Sequence, residues 1–235
     1  MPRTVAVLQS NYLPWKGYFD LIHDVDLFVF YDDVQYTKND WRNRNRVKSG
    51  RGLRWLTVPV GAHIGRKVCE VEIRDRAWPQ KHWKTLRQNY SRAPHFASHA
   101  GFFEEMLLGR VWNNLSELNQ AFIRRIAGEL LGIRTEFADS REYVLTGQRQ
   151  ERLLSLLTAL KAQVYVSGPA ARAYIEEAVF ARAGIDVHYK SYQGYPEYRQ
   201  LYPPFIHEVS IVDAIFHLGS AASDFIWGWR RSGRG

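Results

Sequence analysis

The sequence predicts an α/β fold: a Rossmann-like parallel sheet with crossover helices and an inserted lobe of mixed strands and helices. Short apolar runs rich in β-branched and aromatic residues recur along the chain, which is typical of buried strands. Segments with helical spacing of apolar residues lie between these runs in the first and last thirds, and this β-α-β alternation favours a parallel sheet. Of the 235 residues, 46% are apolar and 24% are charged, so the chain can bury a large core without disulfides or metals.

The first third of the chain predicts the first β-α-β unit. The expected elements are a strand over residues 4–9, a helix over 18–22 and a strand over 27–31. A polar loop that contains Pro14 separates the first strand from the helix. The second strand ends at two adjacent carboxylates, Asp32 and Asp33.

The segment 38–110 departs from this alternation, so we interpret it as a lobe inserted into a single domain that spans 1–235. Its first residues are basic and rich in asparagine. The expected elements within and after the lobe are strands over 54–60 and 69–73 and helices over 80–90, 100–109 and 115–131. The last of these helices has apolar residues close to a 3.6-residue period.

The last third of the chain returns to the alternation. Its expected elements are a strand over 134–137, a helix over 148–161, a strand over 163–166, a helix from Pro169 to about 182 and a strand over 185–189. Ligands of open parallel sheets bind beyond the carboxyl ends of the strands. We therefore expect the ligand site at the loops after these strands, which carry Gln9, Asp32, Asp33, Asp139, Ser140, Ser167 and Gly168.

The charge and the aromatic content indicate an anionic partner. The chain has 32 Lys and Arg against 24 Asp and Glu, a formal net charge of +8, which suits nucleic acid, nucleotide phosphate or an acidic membrane surface. Aromatic residues make up 14% of the chain, and many lie among polar residues, as in sites that stack a ring while cations hold phosphate. The single cysteine, Cys69, excludes an intramolecular disulfide and a cysteine-based metal cluster. We expect a cytoplasmic protein, because no signal peptide or membrane-spanning segment is recognisable.

The loop after the first strand is the first candidate for ligand binding. Its candidate residues are Gln9, Asn11, Tyr12 and Trp15. Polar residues between a strand and a helix can present backbone N–H groups to phosphate. The chain has neither a GxGxxG nor a GK[ST] motif, so this is not a standard nucleotide loop. The alternative interpretation is a rigid turn in which Trp15 fills the core.

The second candidate is the acidic pair that ends the second strand, with the basic segment that follows it. Asp32 and Asp33 are candidate catalytic carboxylates, and adjacent strand residues face opposite ways, so the sequence does not say which one faces a ligand. Candidate phosphate- or substrate-binding residues are Gln35, Lys38, Trp41, Arg42, Asn43 and Arg44. Arginine suits bidentate binding of phosphate or carboxylate. The alternative is a solvated basic loop whose aspartates pair with arginines.

The third candidate is the basic helix around residue 82. Lys81 and Lys84 share one face of this helix and are candidate phosphate ligands. His82 lies on another face and is a candidate general acid or base at neutral pH. A structural histidine and two solvent-exposed lysines form the alternative interpretation. No metal site is predicted, since His207 and His217 lack a suitable set of partner ligands.

Several long strings of the sequence, taken together, resemble the WbqC-like family of bacterial proteins. They are residues 8–19, 31–36, 41–44, 55–60, 81–84, 166–168 and 210–213. His217-Leu218 departs from the pattern, where an asparagine near the glycine is expected. The resemblance implies an association with gene clusters for O-antigen and other surface polysaccharides, and a glycyl or similar aminoacyl transfer to an amino sugar.

The leading hypothesis is a transferase that acts on a nucleotide-linked amino sugar, with ATP or a nucleotide sugar as substrate and no resident cofactor. Arg42, Arg44 and Lys81 would hold phosphate, and Tyr12, Trp15 or Trp41 would stack on a base or sugar. Asp33 or His82 would deprotonate the attacking group. One alternative is nucleotidyl transfer to a sugar phosphate, although the two-histidine signature of such enzymes is absent. The other is non-catalytic binding of a nucleotide or, less favoured, of nucleic acid. The sequence makes no prediction of the oligomeric state.

Overall fold

The computed structural model describes residues 2–63 and 65–232. The strands are β1 (Thr4–Leu8), β2 (Leu27–Phe30), β3 (Arg44–Ser49), β4 (Gly52–Thr57), β5 (Glu136–Asp139), β6 (Val164–Ser167) and β7 (Asp186–Tyr189). Five of them form one parallel sheet in the order β5-β2-β1-β6-β7, and β3 and β4 form a separate antiparallel hairpin. The predicted α/β fold with a Rossmann-like parallel sheet is confirmed.

Helices cover both faces of the sheet. They are α1 (Lys16–His23), α2 (Trp78–Tyr90), α3 (Phe96–Leu108), α4 (Leu115–Arg125), α5 (Arg149–Ala159), α6 (Glu177–Arg182), α7 (Ile211–Leu218) and α8 (Trp229–Ser232). A π-helical turn, Ile126–Leu130, continues α4, and another, Asp224–Gly228, precedes α8. In the part of the chain that the structure describes, no helix is both long enough and apolar enough to span a lipid bilayer.

The alternation of side chains along β1 divides the core into two parts. Val5 and Val7 face one side of the sheet, where they pack with residues of α5 and α6. Ala6 faces the other side, where the core includes residues of α1, α4 and α7 and residues of the segment 38–110. That segment therefore shares a core with the sheet, and its delimitation as an inserted lobe stays a prediction.

The sheet order places the carboxyl ends of three strands at one edge. β1 pairs with β2 on one side and with β6 on the other. The strands after β1 are therefore added first on one side of it and later on the other, so the strand order reverses at β1. Crevices at such reversals are the usual ligand sites of open parallel sheets. The loop after β1 lies at this edge and continues to Trp15, the residue before α1.

Two predicted elements differ from the structure. Residues 69–73 were expected to form a strand, but they contain the end of a short 3₁₀ turn, Val68–Glu70, and a single β-bridge at Glu72. The backbone of this segment hydrogen-bonds to residues 113–115, which form no strand that could extend the pairing. The helix expected over 169–182 is divided into a 3₁₀ turn, Pro169–Ala173, and α6. The backbone N–H of Glu176 donates to the Gln150 side chain (3.2 Å), outside any helical pattern.

The β3–β4 hairpin packs against the loop after β1. Asn45 is buried, and its Nδ2 donates to the carbonyl oxygens of Leu13 (2.8 Å) and Tyr12 (3.2 Å). The carbonyl oxygen of Arg46 accepts from the backbone N–H of Ser210 (2.8 Å). These bonds hold the Asn45 side of β3 against the protein. Because side chains alternate along a strand, Arg44 and Arg46 point to the opposite, outer side.

Candidate functional site

Two arginines and two tryptophans form a cluster on the outer side of the hairpin, which we call the Arg–Trp face (Trp41, Arg44, Arg46 and Trp55). Arg46 and Trp55 are direct cross-strand partners. The guanidinium carbon lies 4.2 Å from the Trp55 ring centroid in Arg44 and 5.7 Å from it in Arg46. Trp41 extends the stack, with its ring centroid 5.6 Å from that of Trp55. The rings thus hold both guanidinium groups in fixed positions.

The two arginines of the Arg–Trp face have no ion-pair partner in the described part of the chain. Within residues 2–63 and 65–232, neither Arg44 nor Arg46 forms an ion pair, and the buried Nε atom of each has no hydrogen-bond partner. Arg42, two residues before Arg44, differs because its guanidinium pairs with the Asp40 carboxylate. Oriented guanidinium groups without a carboxylate are suited to an anionic ligand with several oxygen atoms, such as a phosphate.

A hollow of about 280 Å³, the Arg–Trp pocket, adjoins this face. It is lined by Asn11, Pro14, Trp15, Trp41, Asn45, Arg46 and Glu208. The Oδ1 atom of Asn11 is buried without a hydrogen-bond partner. Glu208 is exposed and, among the described residues, is in no ion pair. The lining of the pocket therefore includes one cation, Arg46, one carboxylate, Glu208, and two aromatic rings.

Trp15 is fixed in the pocket wall by its surroundings. Its ring centroid lies 5.1 Å from that of Tyr192 and 6.2 Å from that of Tyr195. The indole also lies against Gly17, where a side chain would collide with the ring. Trp15 is half-buried and lines the hollow, and its role as a ligand contact stays a prediction.

A buried amine lies next to this pocket. Lys16 is 3% exposed, and its Nζ lies 2.8 Å from Nδ1 of His207 and 4.8 Å from the Tyr195 ring centroid. Burial lowers the pKa of Lys16 to about 8, with nearby carboxylates including Asp213 opposing that shift. Lys16 follows Trp15 and His207 precedes Glu208 in the sequence, so this contact fixes two walls of the pocket relative to each other.

A second hollow, the sheet-edge cavity, lies at the carboxyl ends of the strands and measures about 700 Å³. It is lined by Val7, Leu8, Gln9, Tyr31, Val34, Arg149, Gln150, Leu153, Tyr165, Tyr174 and Glu176. This is the edge at which the sheet order predicts a ligand. Of the residues singled out from the sequence, Gln9 lines this cavity, whereas Asn11, Trp15 and Trp41 line the Arg–Trp pocket.

The two adjacent aspartates have different environments. Asp32 is fully buried and accepts hydrogen bonds from the backbone N–H of Ser10 (2.8 Å), from the Ser116 hydroxyl and from the Gln120 amide (3.2 Å). Its carboxylate holds the loop after β1 to α4 and has no surface for a ligand. Asp33 is half-buried, accepts from the Ser140 hydroxyl (2.5 Å) and forms an ion pair with Arg152.

Tyr12 and His82 lie in the core rather than at a ligand surface. The Tyr12 ring is fully buried against Trp78 and Phe122, with centroid distances of 6.0 Å and 6.1 Å. Its hydroxyl lies 2.9 Å from Nδ1 of His82, and the backbone of Thr57 provides a second hydrogen bond to that histidine. Burial lowers the pKa of His82 to about 4, so the ring is neutral at pH 7. The structural interpretation of His82 fits this environment, and a fully buried Tyr12 cannot stack on a ligand.

The other candidate residues lie apart from the two hollows. Gln35, Lys38, Lys81 and Lys84 are exposed, and Lys84 lines a separate groove with Trp83 and Arg87. Asn43 is buried and donates to the carbonyl oxygen of Val58 (3.0 Å). Ser167 is buried and accepts from the Tyr165 hydroxyl (3.1 Å), and Gly168 follows it at the end of β6.

Arg46 and Glu208, which line the pocket, and Trp55 of the Arg–Trp face were not among the candidate residues chosen from the sequence. The alternation of arginine with asparagine at 44–46 could have identified Arg46, because it predicts that Arg44 and Arg46 share one face of a strand. Trp55 becomes their neighbour only through the register of the hairpin. No local pattern connects Glu208 with a loop almost 200 residues earlier.

One cluster has the composition of a metal site. The ligand atoms of Asp20, His23 and Asp24 lie within 4.8 Å of one another. Protein cations already occupy these carboxylates, since Lys190 Nζ lies 3.0 Å from Asp20 and Arg230 lies 2.7 Å from Asp20 and 2.9 Å from Asp24. The cluster is therefore an ion-pair network that joins α1 to the carboxyl-terminal region.

The structure defines an α/β protein of Rossmann-like topology whose β3–β4 hairpin carries two arginines without an ion pair to any described residue. A family model described as the WbqC-like protein family matches residues 9–225, and the chain belongs to this family. The uncharacterized protein Rv1507c of Mycobacterium tuberculosis (strain ATCC 25618 / H37Rv) is 45% identical over 226 residues, which cover 95% of this chain and 97% of that protein. No solved structure matches the chain significantly.

Proposed function

We propose that this protein is a transferase of bacterial surface-polysaccharide biosynthesis that binds a nucleotide-linked amino sugar in the Arg–Trp pocket. The observation that carries the proposal is the pair Arg44 and Arg46, stacked on tryptophan and free of carboxylate partners among the described residues. The association of WbqC-like proteins with surface-polysaccharide gene clusters supports the substrate class.

The chemistry of the pocket matches the parts of such a substrate. Arg46 in the pocket lining and Arg44 on the adjoining Arg–Trp face suit a diphosphate, which carries several anionic oxygens. The rings of Trp15 and Trp41 provide stacking surfaces for a base or a sugar ring. The carboxylate of Glu208 suits the ammonium group of the amino sugar, with which it would form an ion pair.

The reaction that fits this arrangement is aminoacyl transfer to the sugar amine. The amine nitrogen attacks the carbonyl carbon of an activated acyl donor, a C–N bond forms, and the leaving group departs with the electrons of the broken bond. The Glu208 carboxylate acts as the general base by taking a proton from the bound ammonium, which frees the nitrogen lone pair for attack, and the second proton lost as the amide forms passes to water. This assignment replaces His82, whose buried ring contacts Tyr12 and Thr57, and Asp33, whose carboxylate pairs with Arg152.

Calorimetric titration with UDP- and dTDP-linked amino sugars tests the proposal. We expect a dissociation constant below about 1 mM, and a loss of at least about tenfold in affinity for Arg46→Ala, the size of one good charged contact. Arg54→Ala is the matched control, because Arg54 is an exposed arginine that neighbours Trp55 on β4 but faces away from it. Absence of millimolar binding, or equal losses in both variants, would refute the proposal.

The role of Glu208 has its own test. Glu208→Gln should weaken binding of the amino sugar nucleotide and leave unchanged the binding of the matching nucleotide whose sugar carries a hydroxyl group instead of the amine. The comparison isolates the amine contact, because both ligands present the same phosphates and base. An equal effect on both ligands would assign Glu208 a role outside amine recognition.

A further inference from the structure

We propose that the sheet-edge cavity is a second ligand site, for the nucleoside monophosphate part of an activated acyl donor. This assignment to a donor rests on the proposed transferase function, whereas the existence of a nucleotide site rests on the cavity itself. Its volume of about 700 Å³ is well over twice the 280 Å³ of the Arg–Trp pocket.

The cavity offers aromatic surface for a base. Tyr31 follows β2, Tyr165 lies on β6, and Tyr174 lies at the rim with 67% of its surface exposed. The exposed Tyr174 ring, together with the other two tyrosines of the lining, provides surface on which a planar base can stack. Val7 and Leu153 add an apolar wall next to these rings.

The cavity also offers a cation without a protein partner. Arg149, in the first turn of α5, lines the hollow and forms no ion pair with any residue in the described part of the chain. Arg152, one turn later, differs because it is paired with Asp33. Arg149 is therefore free to meet a phosphate at the cavity rim.

The wall that carries Tyr174 is fixed to α5. The Gln150 amide donates to the Glu176 carboxylate (3.0 Å), and the backbone N–H of Glu176 donates to the Gln150 side-chain oxygen (3.2 Å). This reciprocal pair holds the segment after Tyr174 next to the helix that carries Arg149. The ring and the cation therefore belong to one supported rim.

The linings of the two hollows come within two residues of each other along the loop after β1. Gln9 lines the sheet-edge cavity and Asn11 lines the Arg–Trp pocket. Two residues of extended chain span at most about 7 Å. A donor in one hollow and an acceptor in the other would thus approach each other across this loop.

The donor that fits this division is a mixed anhydride of a carboxylic acid and a nucleoside monophosphate. The acceptor amine attacks the acyl carbon, the C–N bond forms and the bond from that carbon to the phosphate oxygen breaks. The electron pair stays on that oxygen, so the nucleoside monophosphate leaves from the sheet-edge cavity. Glu208 takes a proton from the bound ammonium before this attack, and the second proton passes to water.

Titration with AMP, beside adenosine and inorganic phosphate, tests this inference directly. We expect AMP to bind more tightly than either fragment, and Tyr174→Ala and Arg149→Gly each to weaken AMP binding about tenfold. Glycine is used at position 149 because this residue has φ +50, which glycine adopts without strain. Arg172→Ala is the control, since Arg172 is exposed on the same segment and stacks on Tyr189 instead. Thermal melting verifies that each variant is folded.

Testing each variant with the ligand of the other site distinguishes the two sites. Arg149→Gly should leave the binding of the UDP-linked amino sugar unchanged, and Arg46→Ala should leave the binding of AMP unchanged. Absence of AMP binding at about 5 mM, far above ordinary substrate affinities, or loss of it in Arg46→Ala, would overturn the second site. Retained amino sugar binding in that case would leave the proposed function standing. AMP binding without amino sugar binding would remove only the proposed function.

Discussion

The buried cluster of Tyr12, Trp78 and His82 and the exposed Arg–Trp face are both built from aromatic rings and nitrogen bases, yet they have opposite environments. The Tyr12 and His82 rings lie 5.6 Å apart with almost no exposed surface. Trp55, on whose ring both arginines stack, remains 43% exposed. The same residue types therefore serve packing in one region and leave a charge free for a ligand in the other.

The two regions differ because imidazole can be deprotonated near neutral pH, whereas guanidinium cannot. An imidazole can lose its proton and enter the core as a neutral group, at a modest cost in free energy. A guanidinium cannot be deprotonated in a protein, so an arginine without a carboxylate partner must keep contact with solvent or a ligand. Stacking on Trp55 orients the two arginines without removing their charge.

The largest expected effect is the removal of the buried ring. Tyr12→Ala should lower the free energy of unfolding by about 3–5 kcal/mol, because it opens a cavity between Trp78 and Phe122. Tyr12→Phe should cost only about 1 kcal/mol, since it removes the hydrogen bond to His82 and keeps the ring. Urea unfolding measures both values. Similar losses in the two variants would contradict the packing role of the ring.

The next effect is a pH dependence of stability that comes from His82. Its pKa is lowered from 6.5 to about 4, so between these values the unfolded chain binds a proton that the folded protein does not. The free energy of unfolding should therefore fall as the pH drops from 6.5 towards 4, by about 3 kcal/mol. Urea unfolding at pH 7 and pH 4.5 measures it. His82→Gln should remove this part of the pH dependence, and an unchanged dependence would show that His82 does not cause it.

Substitutions in the Arg–Trp face should differ from those in the buried cluster, because they should change ligand affinity more than stability. Arg46→Ala should weaken binding of the amino sugar nucleotide about tenfold, or about 1.4 kcal/mol, while stability changes by less than about 0.5 kcal/mol. Arg42→Ala should reduce affinity less, because the Arg42 guanidinium is already paired with Asp40. Titration and urea unfolding of both variants separate the two effects. An Arg42 loss that equals that of Arg46 would count against the distinction between paired and unpaired arginines.

The smallest effect concerns the exposed lysines of α2. Lys81→Ala and Lys84→Ala should each change stability by less than about 0.5 kcal/mol, as is usual for exposed surface positions. Affinity for the nucleotide sugar should also stay within about twofold, since neither lysine lines either hollow. The same titration provides the check. A large loss of affinity would place α2 at the ligand after all.

The strands of the parallel sheet were predictable because each is identified by the residues within its own segment. Strands such as β2, with four buried residues in succession, carry an apolar run that identifies them without knowledge of their neighbours. The segment 69–73 alternates apolar and acidic residues, which also predicts a strand, but its backbone hydrogen-bonds to residues 113–115 instead of to a strand. Pairing partners are chosen by the tertiary structure, so a local pattern cannot separate these two cases.

The candidate site was predictable only in part for the same reason. The motif strings indicated Asn11, Trp15, Trp41 and Arg44, and the structure brings them to the Arg–Trp pocket or its rim. Asp33, a candidate catalytic carboxylate from the sequence, lines neither hollow, and its carboxylate is paired with Arg152 and Ser140.

The sequence by itself determined the strands of the sheet, the basic and aromatic character of the segment after β2 and the family to which the chain belongs. Only the tertiary structure decided which arginines remain unpaired among the described residues, which aromatic rings are buried and which acid lines the pocket with Arg46. Apolar periodicity is a property of neighbouring residues, whereas the environment of a charge depends on groups that come from anywhere in the chain. Arg42 and Arg46 are four residues apart and chemically identical, and only folding gives one of them Asp40 and the other an open pocket.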